Sequence, residues 1–170
     1  MQWTQRLLIL LVLALPAAAE DNSWYHEPPK AWGEEEEERE EAVVVPPLPD
    51  VRQLIALDSG FEGYRYFLDP GSLSIADHRT VRYAVVVESP NGVRNVLYEG
   101  IQCGSRQYKT YAYAAGEGPY QTTTAPEWKP IRGTTAFTYR RDLQEFYFCE
   151  GMTLRTNVDD IVRRIKYRTR

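Results

Sequence analysis

The run Thr80–Glu88 constrains the fold more than any other stretch of the chain. Val81, Tyr83, Val85 and Val87 alternate there with Thr80, Arg82, Ala84, Val86 and Glu88. Successive side chains of a strand point to opposite faces, so this pattern predicts a strand with one strongly apolar face. Pro90-Asn91-Gly92 follows and fits a three-residue hairpin loop, with glycine at the left-handed position. Such a loop makes Ser89 face Val93. Counting outward, it pairs Glu88 with Arg94, Val87 with Asn95, Val86 with Val96, Val85 with Leu97 and Ala84 with Tyr98. The opposite charges of Glu88 and Arg94 support this register, because charge pairs directly across a ladder attract. A two-residue Asn91-Gly92 loop would shift the pairing by one and break that contact.

Other segments extend the sheet. Residues 54–57 and 64–68 are short apolar or aromatic runs separated by Asp58, Ser59, Gly60 and Gly63, which suits a hairpin. Asp69-Pro70-Gly71 reads as a further turn before Ser72-Leu73-Ser74-Ile75. Residues 107–113 form a tyrosine-rich strand, and residues 114–126, dominated by glycine, threonine and proline, form a loop. Trp128 and Ile131 flank Pro130 and are expected to plug into the body. Residues 140–148 suit either a strand, through Phe146-Tyr147-Phe148, or a short helix. The helix is favoured because Leu143 and Tyr147 share a face at i and i+4. Asn157 is placed to cap a last helix, with Asp159 and Asp160 in its first turn, arginines in its last, and an apolar stripe of Val158, Ile161, Val162 and Ile165. The expected fold is α+β: mainly antiparallel sheet with one or two short C-terminal helices, and no internal repeat.

The ends of the chain differ from its middle. Arg6, an apolar run over residues 7–15, Pro16 and Ala17-Ala18-Ala19 read as an export signal over 1–19. The apolar run is well short of the roughly 20 residues that a spanning helix needs. No cysteine follows it to accept a lipid. Nineteen basic residues remain against 24 acidic ones once Arg6 leaves with the signal. Residues 20–50 hold eleven of the acids and only Lys30 and Arg39 as bases. Residues 51–150 hold eleven of each sign, and residues 151–170 hold six bases against two acids. A neutral body over 51–150 therefore carries an acidic arm and a basic tail, and 51–170 is expected as one globular domain ending in that basic helix. Like charges at the density of residues 34–41 repel, and Pro28-Pro29, Pro46-Pro47 and Pro49 favour extended backbone, so the arm reads as a solvated spacer. A sharper reading brings the arm against the basic tail or an external cation. Trp24, Tyr25 and Trp32 are unusual in a spacer, and Val43-Val44-Val45 could add an edge strand.

Export makes one disulfide, Cys103 to Cys149, the simplest use of the two cysteines. A redox pair would more often show Cys-x-x-Cys spacing, which is absent.

From Leu54 onward an ordered set of motifs resembles a known family. It comprises Ser72-Leu73-Ser74-Ile75, Val81-Arg82-Tyr83, Tyr98-Glu99-Gly100-Ile101-Gln102-Cys103, Lys109-Thr110-Tyr111-Ala112, Trp128 with Ile131, and Tyr147-Phe148-Cys149. Over roughly residues 45–150 the chain is similar to the cryptic neisserial protein-like family of exported proteins from Gram-negative bacteria. The resemblance implies an envelope location, in the periplasm, and a shared domain. It carries over no activity and no catalytic residues. Some members look like lipoproteins, and this chain departs from them in lacking the acceptor cysteine.

Constellations that carry chemistry are sparse. A hydrolytic triad needs an imidazole, and only His26 and His78 supply one. His26 sits in the arm. His78, in Ala76-Asp77-His78-Arg79, lies in an expected turn near Ser72 and Ser74, where an exposed turn histidine is the plainer reading. No Gly-x-Ser-x-Gly elbow occurs. Of the body carboxylates Asp69, Glu88, Glu99 and Glu145, Glu99 before Gly100 is the most interesting, with a salt bridge as the plainer alternative to acid–base work. No metal-ligand spacing and no phosphate-cradling glycine motif is found, so neither metal nor cofactor is expected. A net-neutral body argues against nucleic acid. The basic, amphipathic segment 158–170 either packs on the sheet or touches an anionic membrane surface peripherally.

Tyrosine is abundant, at twelve residues. Tyr108, Tyr111, Tyr113 and Tyr120, with Trp128, either pack the sheet or form a partner surface, since such rings serve both purposes. The expectation is thus a non-enzymatic envelope protein that binds a partner protein or a cell-wall component. The alternative is a hydrolase-like enzyme on an envelope substrate, with Glu99 and His78 as its weak candidates.

Overall fold

The computed structural model describes residues 42–167, apart from 60, 62, 78 and 133–136. The expected signal at 1–19, the acidic arm up to residue 41 and His78 lie outside the described residues. The central element is an antiparallel sheet in the order β1 (Ile55–Ala56), β2 (Arg65–Ala76), β3 (Thr80–Glu88), β4 (Arg94–Gln102), β5 (Gln107–Ala115) and β6 (Gln121–Thr122), with β7 (Lys129–Pro130) also on β5. Each long strand pairs with the next in sequence, as short connections favour.

The β3–β4 register is the expected one, from Glu88 opposite Arg94 to Ala84 opposite Tyr98. Ser89 N–H donates to the Val93 carbonyl at 2.9 Å, and Gly92 has φ +78°. Arg94 Nε donates to Glu88 Oε2 at 2.8 Å, and Arg65 pairs with the same carboxylate. The first hairpin also forms, with Ile55 opposite Leu68.

Two expectations are corrected. Asp69-Pro70-Gly71 does not reverse the chain; it is an irregularity inside one long β2, where the register shifts between Asp69 and Ser74. Pro70 has no N–H to give to a ladder. The Ser72 hydroxyl fills the gap, donating to the Asp69 carbonyl and accepting from the Ala84 N–H, both at 2.7 Å. Val43-Val44-Val45 adds no strand. Residues 42–50 are irregular, and Val43 and Val45 instead pack beside Leu54, Phe67 and Tyr120 on one sheet face.

The opposite face carries the larger core. Tyr66, Leu68, Val81, Tyr83, Val85 and Ile101 meet Tyr139, Leu143, Phe148, Ile161 and Ile165, all buried. The covering elements are α1 (Thr138–Asp142), which runs directly into a π-helix at Leu143–Phe148, and α2 (Val158–Tyr167). The helical reading of 140–148 therefore holds, and Leu143 and Tyr147 are both buried. Between the helices a small hairpin joins β8 (Cys149–Glu150) and β9 (Thr153–Leu154). Asn157 caps α2 through its Oδ1, which accepts the Asp160 N–H at 3.0 Å. Ile161 and Ile165 turn into the core, with Val158 and Val162 packed against it. Cys103, just past β4, is bonded to Cys149, with Cα atoms 5.7 Å apart. The bond ties the sheet to its helical cover.

No helix among the described residues is long and apolar enough to cross a membrane.

Candidate functional site

The ladder determines what stands around Glu99. Leu97 and Ile101 turn to the larger core, so the period of two turns Glu99 there as well. Tyr83 is its direct partner on β3 and Thr110 its direct partner on β5. Glu99 is wholly buried, at 0% exposure. A buried carboxylate is costly unless it is paired and hydrogen-bonded. Here it is both. Thr110 Oγ1 donates to Oε1 at 2.9 Å, and the Tyr83 and Tyr139 hydroxyls each donate to Oε2 at 3.0 Å. Arg140 adds two bonds, Nε to Oε2 at 3.0 Å and Nη2 to Oε1 at 2.5 Å.

Strands thus supply the acid and two donors, while α1 supplies the third hydroxyl and the cation. Burial raises the hydroxyl pKa of both Tyr83 and Tyr139 well above the usual tyrosine range, and the negative charge of Glu99 adds to the effect. Burial works against the charge on Arg140, but the Glu99 carboxylate outweighs it and the net shift is upward. All five bonds point at one carboxylate with no exposed surface. The Glu99 oxygens are thereby turned into the core and occupied.

Arg140 continues outward from this cluster. Its guanidinium lies 3.8 Å from the ring centroid of Tyr108 and 4.4 Å from that of Phe137. The same three residues line an open groove of about 390 Å3, with Lys129, Ile131 and Arg132 among its other walls. No described lining residue is acidic. Phe137 is 41% exposed although it is a large hydrophobe.

A second groove of about 810 Å3 runs beside Leu48, Val51 and the β3–β4 hairpin. Its arginines, Arg65 and Arg94, are both engaged by Glu88, whose carboxyl they hold below the usual range, Arg94 contributing most. Glu88 thus neutralises both arginines of this groove, whereas Lys129 and Arg132 of the first groove have no acid among its described lining residues.

The five aromatic candidates do not share a surface. Tyr108 lines the first groove. Tyr113 stands opposite Leu97, exposed, and its hydroxyl donates to Gln121 Oε1 at 2.8 Å. Tyr111 is the extra residue of a bulge where the β4–β5 register shifts between Tyr98 and Glu99. The bulge turns Tyr111 to the other face, where it is buried with its ring 5.8 Å from Tyr98. Tyr120 joins that same cluster. Burial pushes its hydroxyl up to about 12, helped by Asp69. Trp128 is half-buried under the Lys109 ammonium, 4.6 Å from its ring centroid. Among the described residues no group of three or more His, Cys, Asp or Glu could hold a metal ion.

The sequence reading missed Arg140, Phe137, Lys129 and Arg132 as site residues. One signal was present. Between inward-facing Leu97 and Ile101, the carboxylate of Glu99 needs a buried cation, and Phe137-Thr138-Tyr139-Arg140 sets one among aromatics.

A family described as the CNP1-like family matches residues 33–166. The chain belongs to that family. The match is wider than the 45–150 span read from motifs, taking in part of the acidic segment and nearly all of α2. No curated protein and no solved structure matches the chain. Every motif that carried the resemblance has a visible task in this CNP1-like domain. Tyr98-Glu99-Gly100-Ile101 holds the buried acid, and Gly100 leaves space for Tyr111, whose Oη would lie 2.7 Å from any Cβ there. Tyr147-Phe148-Cys149 closes the helical cover through the disulfide.

Proposed function

We propose that this CNP1-like protein is an exported, non-enzymatic binding module of the periplasm, and that it engages an envelope component through the groove beside Arg140. The observation that carries the reading is the use of Glu99. The most promising carboxylate in the body is a fixed internal strut, and the cation it holds reaches an open, aromatic-walled groove. Buried polar networks of this kind position other groups rigidly. The hydrolase-like alternative needed Glu99 to reach a substrate, and complete burial with five donors works against it. Export is supported by the signal-like first nineteen residues and is compatible with the disulfide. Membrane contact through 158–170 gains no support from α2, whose apolar stripe faces the core.

Fractionation of expressing cells tests the location, and co-sedimentation of the exported chain with isolated sacculi and with envelope vesicles tests the binding. The reading expects the chain in the periplasmic fraction and pelleted by one envelope fraction, with retention reduced in K129A/R132A. A cytoplasmic chain, or equal retention of both proteins, would refute it.

A further inference from the structure

We propose that the groove beside Arg140 binds an organic carboxylate with an apolar body; this rests on the binding reading above and names the chemistry of its ligand. The first argument is the state of the guanidinium. Arginine has five N–H donors in a fixed plane. Glu99 takes one from Nε and one from Nη2, which fixes that plane. Tyr108 and Phe137 lie 3.8 and 4.4 Å away, stacked against the guanidinium. A ligand in the groove therefore meets the remaining N–H edge, pre-organised and already desolvated, with little rotamer freedom left to lose.

The second argument is charge. Arg140 is balanced by Glu99, but Lys129 and Arg132 add two positive charges with no acid among the described walls. The rim attracts anions and repels cations. The third is shape. Ile131, Tyr108 and the exposed Phe137 form apolar walls, and a groove of about 390 Å3 suits a small molecule or one terminal group of a larger one. A planar carboxylate can lie in the guanidinium plane and accept two parallel bonds. A phosphate can pair with arginine in the same way, but it brings more charge and more oxygens against the apolar walls of Ile131, Tyr108 and Phe137.

The test titrates the exported chain with benzoate, benzamide and phenyl phosphate by isothermal calorimetry at about 150 mM salt, with screening kept constant. Benzoate is expected to bind saturably and at least about tenfold more tightly than neutral benzamide, a gap equal to one charge-assisted contact. K129A/R132A should weaken benzoate about tenfold while its unfolding midpoint stays that of the parent, because both residues are rim residues. Arg140 itself is left intact because it holds the core. Equal binding of benzoate and benzamide, no benzoate binding, or unchanged benzoate affinity in the double variant would overturn the proposal. Tighter binding of phenyl phosphate would overturn the choice of carboxylate. If the chain ignores benzoate yet pellets with an envelope fraction in a manner that needs Lys129 and Arg132, the ligand chemistry is wrong and the binding reading survives. If both fail, both are wrong.

Discussion

Arg140 grips both oxygens of Glu99, from Nε at 3.0 Å and Nη2 at 2.5 Å, across 41 residues of chain. The contact joins β4 to α1, so one ion pair fastens the helical cover to the sheet and sets the floor of the groove.

Breaking that pair from one side should be severe. Arg140→Leu leaves a fully buried carboxylate without its cation, a defect that costs about 3–5 kcal/mol. The double change Glu99→Gln with Arg140→Leu removes both charges while an amide oxygen still accepts from the Tyr83 and Tyr139 hydroxyls, so it should recover part of the loss because no uncompensated buried charge remains. Urea unfolding of the two singles and the double, read as a cycle, checks this. Equal loss in the double and in Arg140→Leu would contradict it.

Alkaline stability follows from Tyr83 and Tyr139. Both have raised folded-state pKa values, first through burial and then through Glu99. Their contribution is fully present below the unfolded tyrosine value of about 10 and is lost as pH rises through the folded values. Unfolding free energy should therefore fall as pH climbs above about 10. Absorbance titration at the phenolate band should show part of the tyrosine signal appearing only with unfolding, and that fraction should shrink in Tyr83→Phe and Tyr139→Phe.

Gly100→Ala should be poorly tolerated although the residue lies in a strand. An added Cβ would stand 2.7 Å from Tyr111 Oη and 2.9 Å from Thr80 Cγ2. Overpacking of this kind costs about 1–3 kcal/mol. The closest atom is the far end of the Tyr111 side chain, so Tyr111→Phe should restore part of the loss when combined with Gly100→Ala. Thermal unfolding of the single and combined variants reads the difference.

The Cys103–Cys149 bond closes a 46-residue separation. Loop-entropy arguments give such a closure about 4 kcal/mol. Replacing both cysteines with serine should lower stability by about 2–5 kcal/mol, and thiol labelling of the protein purified without reductant should find no reactive cysteine until reductant is added.

The legible parts of the fold were those where neighbours in sequence are neighbours in space. Pro90-Asn91-Gly92 and the Glu88–Arg94 charge pair gave the hairpin register to the residue, because a turn of known length leaves one pairing open. Asn157 announced α2 in the same local way, and two cysteines admit one pairing. The Asp69-Pro70-Gly71 irregularity misread as a reversal shows the limit: turn-forming residues mark a break in the ladder without saying whether the chain turns or bulges.

The site was half legible. Glu99 could be singled out, and its place between Leu97 and Ile101 implied burial. Its five donors could not be named, because Tyr139 and Arg140 arrive from a helix whose packing on the sheet is a long-range outcome. The same holds for the aromatics. Strand parity alone puts Tyr111 and Tyr113 on one face, and the bulge at Tyr111 separates them.

The sequence by itself determined the antiparallel sheet, its central register, the disulfide and the capped last helix, since each is written in local periodicity, turn chemistry or simple counting. Only the tertiary structure decided that Glu99 serves as an internal strut, that Val43 and Val45 cover the second face, and that Arg140 meets a groove. Those outcomes depend on which distant side chains satisfy a buried charge or fill a given volume, and no local pattern along the chain encodes that choice.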